Sequence, residues 1–105
     1  MTTPVVVVAT FFPSPGQHDS VHALIAAAQT DVYQEYGCLL YSLHESDDRF
    51  VLIEKWASAK DFGAHGETER LAKLVEDLTP LLDRDIEIIT LSPVDHPTSH
   101  AASAL

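Results

Sequence analysis

Apolar and polar positions along the chain change their period repeatedly, and each change marks a new element. Pro4 to Phe12 is apolar on both alternating sides, with Val5, Val7, Ala9 and Phe11 on one and Val6, Val8, Thr10 and Phe12 on the other. That pattern predicts a strand covered on both faces. Pro13-Ser14-Pro15-Gly16 stops it, since two prolines withhold ladder donors and the glycine permits a reversal. From about Asp19 to Tyr36 the period lengthens. Val21, Leu24, Ile25, Ala28, Val32 and Tyr36 recur at three- and four-residue steps while Gln29, Asp31, Gln34 and Glu35 fall off the stripe, so a helix is expected, with Gly37 as its C-terminal cap.

Alternation returns in Leu39–Glu45 and Phe50–Trp56, which Ser46-Asp47-Asp48-Arg49 joins as a hairpin. If Glu45 faces Phe50, Tyr41 lies opposite Glu54 and Leu39 opposite Trp56, so a phenol, a carboxylate and an indole share one sheet face. Ser58-Ala59-Lys60-Asp61 resembles a capping box opening a short helix that ends near His65-Gly66. Leu71, Leu74, Val75 and Leu78 form the stripe of another helix from about Thr68 to Leu78, limited by Pro80. Asp85 to Leu91 is a last strand rich in β-branched residues, and Ser92 to Leu105 reads as a tail or an arm laid over a partner.

The order strand, helix, strand, strand, helices, strand predicts an α+β ferredoxin-like sandwich, a four-stranded antiparallel sheet with helices on one face. At 105 residues the chain has room for one domain, placed at residues 1–91, with residues 92–105 as the tail. Nothing remains to cover the second sheet face, which carries Leu40, Val51, Ile53 and one side of the first strand. A second copy of the chain is the expected cover, giving a homodimer.

Charge narrows the partners. Sixteen acidic against six scattered basic residues give a formal charge of −10, which argues against nucleic acid and anionic membranes. The apolar run Pro4 to Ala9 is too short to span a bilayer and has no basic flank, so a cytoplasmic protein is expected. The single Cys38 cannot form an internal disulfide and reads as a small packed side chain. His18 and His22, like His96 and His100, have helical metal-binding spacing without an obvious third ligand. His44 falls on the face opposite Tyr41. The polar and aromatic groups of the hairpin, with His65 following soon after Trp56, are the candidates to converge on a small organic molecule.

The ordered set Pro15-Gly16, Glu35-x-Gly37-Cys38-Leu39-x-Tyr41, Phe50-x-Leu52-x-Glu54-x-Trp56 and His65 resembles the antibiotic biosynthesis monooxygenase family from Pro4 to Leu91. The resemblance implies a dimeric α+β barrel with a pocket between sheet and helices in each subunit. It further implies a cofactor-independent monooxygenase that oxidises a quinol-, anthrone- or polyphenol-like aromatic substrate with dioxygen, using neither metal nor flavin. Trp56 matches the tryptophan lining the pocket of polyketide-hydroxylating members. Those members carry an asparagine four residues earlier and a tyrosine six residues later, where this chain has Leu52 and Phe62. Haem-degrading relatives place a histidine where this chain has Val75, which disfavours haem.

Such chemistry needs a base, hydrogen-bond donors for the resulting anion, and exclusion of water. His65 is the candidate base, and Trp56 Nε1 and the Tyr41 hydroxyl are candidate donors. Glu54 is expected to orient one of them, with Leu39, Leu52 and Phe62 completing the substrate pocket. For Trp56 and Tyr41 the alternative is core packing, for His65 an interaction with the helix carboxyl end, and for Glu54 a structural ion pair. Competing functions are a non-catalytic small-molecule-binding or stress-related dimer, or a lactone isomerase or polyketide cyclase on the same scaffold.

Overall fold

A computed structural model describes residues 3–95 and 105. The elements run β1 (Val5–Phe11), α1 (His18–Val32), β2 (Cys38–Ser46), β3 (Arg49–Trp56), α2 (Ala59–Gly66), α3 (Glu69–Leu78), a 3-10 turn at Thr79–Leu81, and β4 (Glu87–Leu91). The four strands form one antiparallel sheet in the order β2-β3-β1-β4, the ferredoxin-like arrangement. β1 is an interior strand, flanked by β3 and β4, and is apolar on both sides.

Side chains alternate across the sheet, so pairing decides which residues share the core. Val7 lies opposite Glu54, Ala9 opposite Leu52 and Phe11 opposite Phe50, and Tyr41 in turn lies opposite Glu54. These side chains point to the helical layer, where Val21, Ile25 and Val32 of α1 and Leu78 of α3 close over them. The opposite face carries Val8, Leu40, Val51, Ile53, Ile89 and Leu91. No helix of the described residues lies over it.

The hairpin follows the expected register from Glu45 opposite Phe50 to Tyr41 opposite Glu54. It departs at the start of β2, where a bulge between Cys38 and Leu40 puts Cys38, not Leu39, opposite Trp56. The extra residue leaves the ladder, and Leu39 turns outward to 58% exposure.

α1 is shorter than its stripe predicts. It ends at Val32, and Tyr33 to Gly37 form a turn held by Gln34 N–H to Asp31 O and Glu35 N–H to Val32 O. Tyr36, expected on the apolar stripe, is therefore 89% exposed. Gly37 serves this turn instead of capping the helix. Its φ is 83°, and a Cβ there would lie 2.4 to 2.6 Å from Asp61 side-chain atoms. Ser58 caps α2, its hydroxyl accepting from Asp61 N–H at 3.1 Å and donating to Asp61 Oδ2 at 2.9 Å. Thr68 caps α3 by accepting from Leu71 N–H at 3.2 Å.

Among the described residues no helix is long and apolar enough to cross a membrane. The tail expectation falls mostly on residues 96–104, outside the described residues.

Gly37→Ala tests the close approach of turn and helix. It should lower stability by about 2 kcal/mol in denaturant unfolding, because a positive φ and a displaced Asp61 side chain act together. Gly63→Ala, with nothing within 4 Å of the new Cβ, serves as the neutral or stabilising control.

Candidate active site

The buried polar cluster arises where three segments meet the helical side of the sheet. β3 supplies Glu54 and Trp56 two residues apart and hence on one face, β2 supplies Tyr41 beside them, and the last turn of α2 supplies His65. Glu54 is 5% and His65 3% exposed, so both polar groups need partners within the protein.

Trp56 Nε1 donates to Glu54 Oε1 at 2.9 Å. The indole stacks on the His65 ring, with centroids 4.6 Å apart and planes at 28°. His65 Nδ1 lies 2.9 Å from Glu35 Oε1, and its Nε2 lies 4.0 Å from Glu54 Oε1, beyond hydrogen-bond range. Tyr41 meets His65 edge-on at 5.9 Å between ring centroids. The imidazole is thus clamped by an indole, tied at one nitrogen, and close to a second carboxyl group at the other.

A cavity of ≈ 200 Å³ lies against this cluster, between sheet and α3. Tyr41, Glu54 and His65 supply its polar end, while Leu52 and Phe62 contribute to the apolar wall. Among the described residues no lysine or arginine lines the cavity. Of its large apolar lining side chains, Val75 of α3 and Ile88 of β4 are the exposed ones, at 40% and 61%.

Burial sets the protonation of the polar end. The Tyr41 phenol is pushed above its ordinary range, chiefly by desolvation and then by the charges of Glu54 and Glu35, so it stays protonated and can donate. Glu54 is also pushed up by burial, an effect moderated by the Trp56 hydrogen bond and by His65 and reinforced by Glu35. Burial and the same two carboxylates raise the Cys38 thiol, which disfavours a thiolate.

Two expected site residues stand elsewhere. Trp56 was expected to donate to a guest, but its N–H is taken by Glu54 and its fully buried ring is behind the lining, so it supports the site from outside the cavity. Leu39 was expected inside the hollow, but the bulge sends it to a separate open groove with Gln29 and Tyr33. Glu54, Tyr41, His65, Leu52 and Phe62 do border one cavity.

Glu35 is the participant that pattern reading missed. It was placed on the polar side of a helix, whereas the helix has ended and the turn aims its carboxylate inward. Its position two residues before Gly37, in a segment that must turn sharply, is the available signal. The apolar wall from Leu71, Leu74 and Leu78 was readable as a helical stripe, but its role as a cavity lining was not.

Among the described residues no group of three or more His, Cys, Asp or Glu side chains could hold a metal ion. His18 instead meets Glu45 at 2.8 Å and stacks on Phe50 at 4.3 Å between centroids.

Trp56→Phe isolates the indole hydrogen bond. The change should raise the Glu54 carboxyl pKa further, read by carbon NMR titration. An acid with a folded pKa above its unfolded value contributes stability that is fully present below the unfolded value and lost as pH rises through the folded one. The variant's deficit should therefore widen with rising pH, reaching about 2 kcal/mol once Glu54 is ionised.

Comparison with known proteins agrees with this architecture. Residues 4–77 match the antibiotic biosynthesis monooxygenase family. Rv0793 of Mycobacterium tuberculosis, named as a candidate monooxygenase, is 32% identical over 101 residues, covering 94% of this chain and 100% of the relative. Its solved structure superposes with a TM-score of 0.84 at 30% identity, covering 91% of this chain and 100% of that one. PA3566 of Pseudomonas aeruginosa has a TM-score of 0.82 at 26% identity, over 90% of this chain and 98% of its own. A Caulobacter crescentus protein at 23% identity shares the fold, with a TM-score of 0.83 over 90% and 92% of the two chains. With the family matched over most of its length and the fold shared throughout, this chain belongs to the antibiotic biosynthesis monooxygenase family.

Proposed function

We propose that the chain is a cofactor-independent monooxygenase of small electron-rich phenols, using dioxygen on a quinol-, anthrone- or polyphenol-like substrate. The observation that carries this reading is a buried imidazole tied at Nδ1, with a protonated phenol and a carboxyl group beside it, in the lining of an otherwise apolar cavity. Pockets for drug-sized ligands commonly occupy about 300–1,000 Å³, so a cavity of ≈ 200 Å³ favours a guest of one or two rings over a tetracyclic one. The absence of lysine and arginine from the lining favours a neutral guest over a carboxylate or phosphate.

For a naphthalene diol the chemistry balances as follows. His65 takes a phenolic proton, and the resulting anion is electron-rich at the ring carbon next to the oxygen. That carbon passes an electron to dioxygen, and the radical pair combines into a carbon–oxygen bond. The peroxide takes the proton back from His65. Removal of the remaining hydrogen from the same carbon breaks the O–O bond, leaving one oxygen on the ring as a carbonyl and releasing the other as water. The diol and one dioxygen thus give one hydroxyquinone and one water. Tyr41 donates to the substrate anion, and the apolar wall excludes water from the reactive carbon.

The same reading makes the active species a homodimer. Val8, Leu40, Val51, Ile53, Ile89 and Leu91 share the sheet face that no described helix covers, and a second copy presenting the same face satisfies all of them at once.

Oxygen uptake with a naphthalene diol or anthrone, in the presence of a chelator and after removal of flavin, tests the activity. Turnover should persist in the wild type, fall by about 100-fold or more in His65→Ala, and fall by about tenfold in Tyr41→Phe. Saturable binding with no oxygen uptake would replace the oxygenase with a small-molecule binder, and conversion without oxygen uptake would replace it with an isomerase or cyclase. Sedimentation equilibrium should give a dimer, and Ile53→Asp together with Val51→Asp should give a folded monomer. A wild-type monomer at high concentration would overturn the dimer.

A further inference from the structure

We infer that Glu35 is the positioning residue that fixes which nitrogen of His65 faces the cavity; the inference rests on His65 being the base of the proposed reaction. Glu35 lies in the turn between α1 and β2, with its side chain 14% exposed and Oε1 2.9 Å from His65 Nδ1. Its Oε2 is buried without a hydrogen-bond partner among the described residues and lies 3.5 Å from Arg70 Nη1. A carboxylate oxygen only accepts.

The hydrogen of the contact therefore belongs to Nδ1. A neutral imidazole carries one N–H, so Nε2, on the side of Glu54 and the cavity, is left with a bare lone pair. A free histidine side chain prefers the reverse, with the hydrogen on Nε2. Such a ring in this cavity would offer the substrate a donor where a base is required. Trp56 stacking holds the plane of the ring but is indifferent to which nitrogen carries the hydrogen, and Glu54 stands 4.0 Å from Nε2, beyond hydrogen-bond range, so the 2.9 Å contact with Glu35 makes that choice. Once His65 has taken a proton, the carboxylate behind it also stabilises the imidazolium, the division of labour found wherever a carboxylate backs a catalytic histidine.

The direct measurement is the nitrogen NMR of the labelled His65 ring, which reports the tautomer whether or not the protein turns over a substrate. The wild type should show hydrogen on Nδ1 and a bare Nε2. In Glu35→Ala the preference should move toward hydrogen on Nε2. In Glu35→Gln, whose amide oxygen can still accept, the tautomer should be largely kept. With the diol substrate, Glu35→Ala should lower kcat by about 10- to 100-fold with KM changed by less than about threefold, and Glu35→Gln should retain more of kcat than Glu35→Ala.

Hydrogen on Nε2 in the wild type overturns the inference, even if Glu35→Ala does not fold. An unchanged tautomer in a folded Glu35→Ala overturns it as well. A tautomer that depends on Glu35 in a protein with no oxygen uptake removes the oxygenase reading and leaves the positioning role standing.

Discussion

Burying the Glu54 carboxyl group in the middle of an apolar sheet face is the constraint from which the rest of the site follows. An isolated carboxylate there would cost several kcal/mol, and the protein answers with one close donor, Trp56 Nε1 at 2.9 Å, and with the His65 ring nearby. Donor and acceptor are two residues apart on one strand, so both side chains leave the same face of the sheet and the strand holds their Cα atoms at a fixed separation. The indole cannot turn away without leaving Glu54 unpaired, and while it stays it provides the flat surface on which the imidazole rests.

This arrangement depends on hairpin register. A slip of one residue between β2 and β3 would send Tyr41 to the opposite face from Glu54 and replace a phenol with Leu40 or Ser42. The short turn at Asp47 and Asp48 fixes pairing near Glu45 and Phe50, and the bulge at Cys38 absorbs the mismatch at the far end. The irregularity thereby falls beyond the Tyr41–Glu54 pair, whose alignment is untouched. Gly37, immediately before the bulge, lets the chain pass against Asp61 and so joins the turn carrying Glu35 to the helix carrying His65.

Much of this was legible because the period of apolar positions reports element type directly. Val5 to Phe11, the hairpin, the Ser58 cap and the α3 stripe all follow from local physics, and Tyr41 opposite Glu54 follows from counting back from the turn. What was illegible depends on tertiary detail. Nothing local says that α1 stops at Val32 when Tyr36 continues its stripe, so Glu35 was assigned to solvent. The bulge that expels Leu39 leaves no mark in alternation until the partner strand is known. The type and position of Trp56 point to a donor for a guest, but whether its N–H faces a guest or a neighbour is decided by Glu54 packing, which a sequence does not display.

The cavity has its own consequence. Its exposed apolar lining, Val75 and Ile88, is hydrocarbon on a chain whose formal charge is −10. A molecule entering past these side chains would gain by leaving water and would owe little to electrostatic capture. Uncharged visitors are therefore favoured over anions, which the net negative charge of the chain repels.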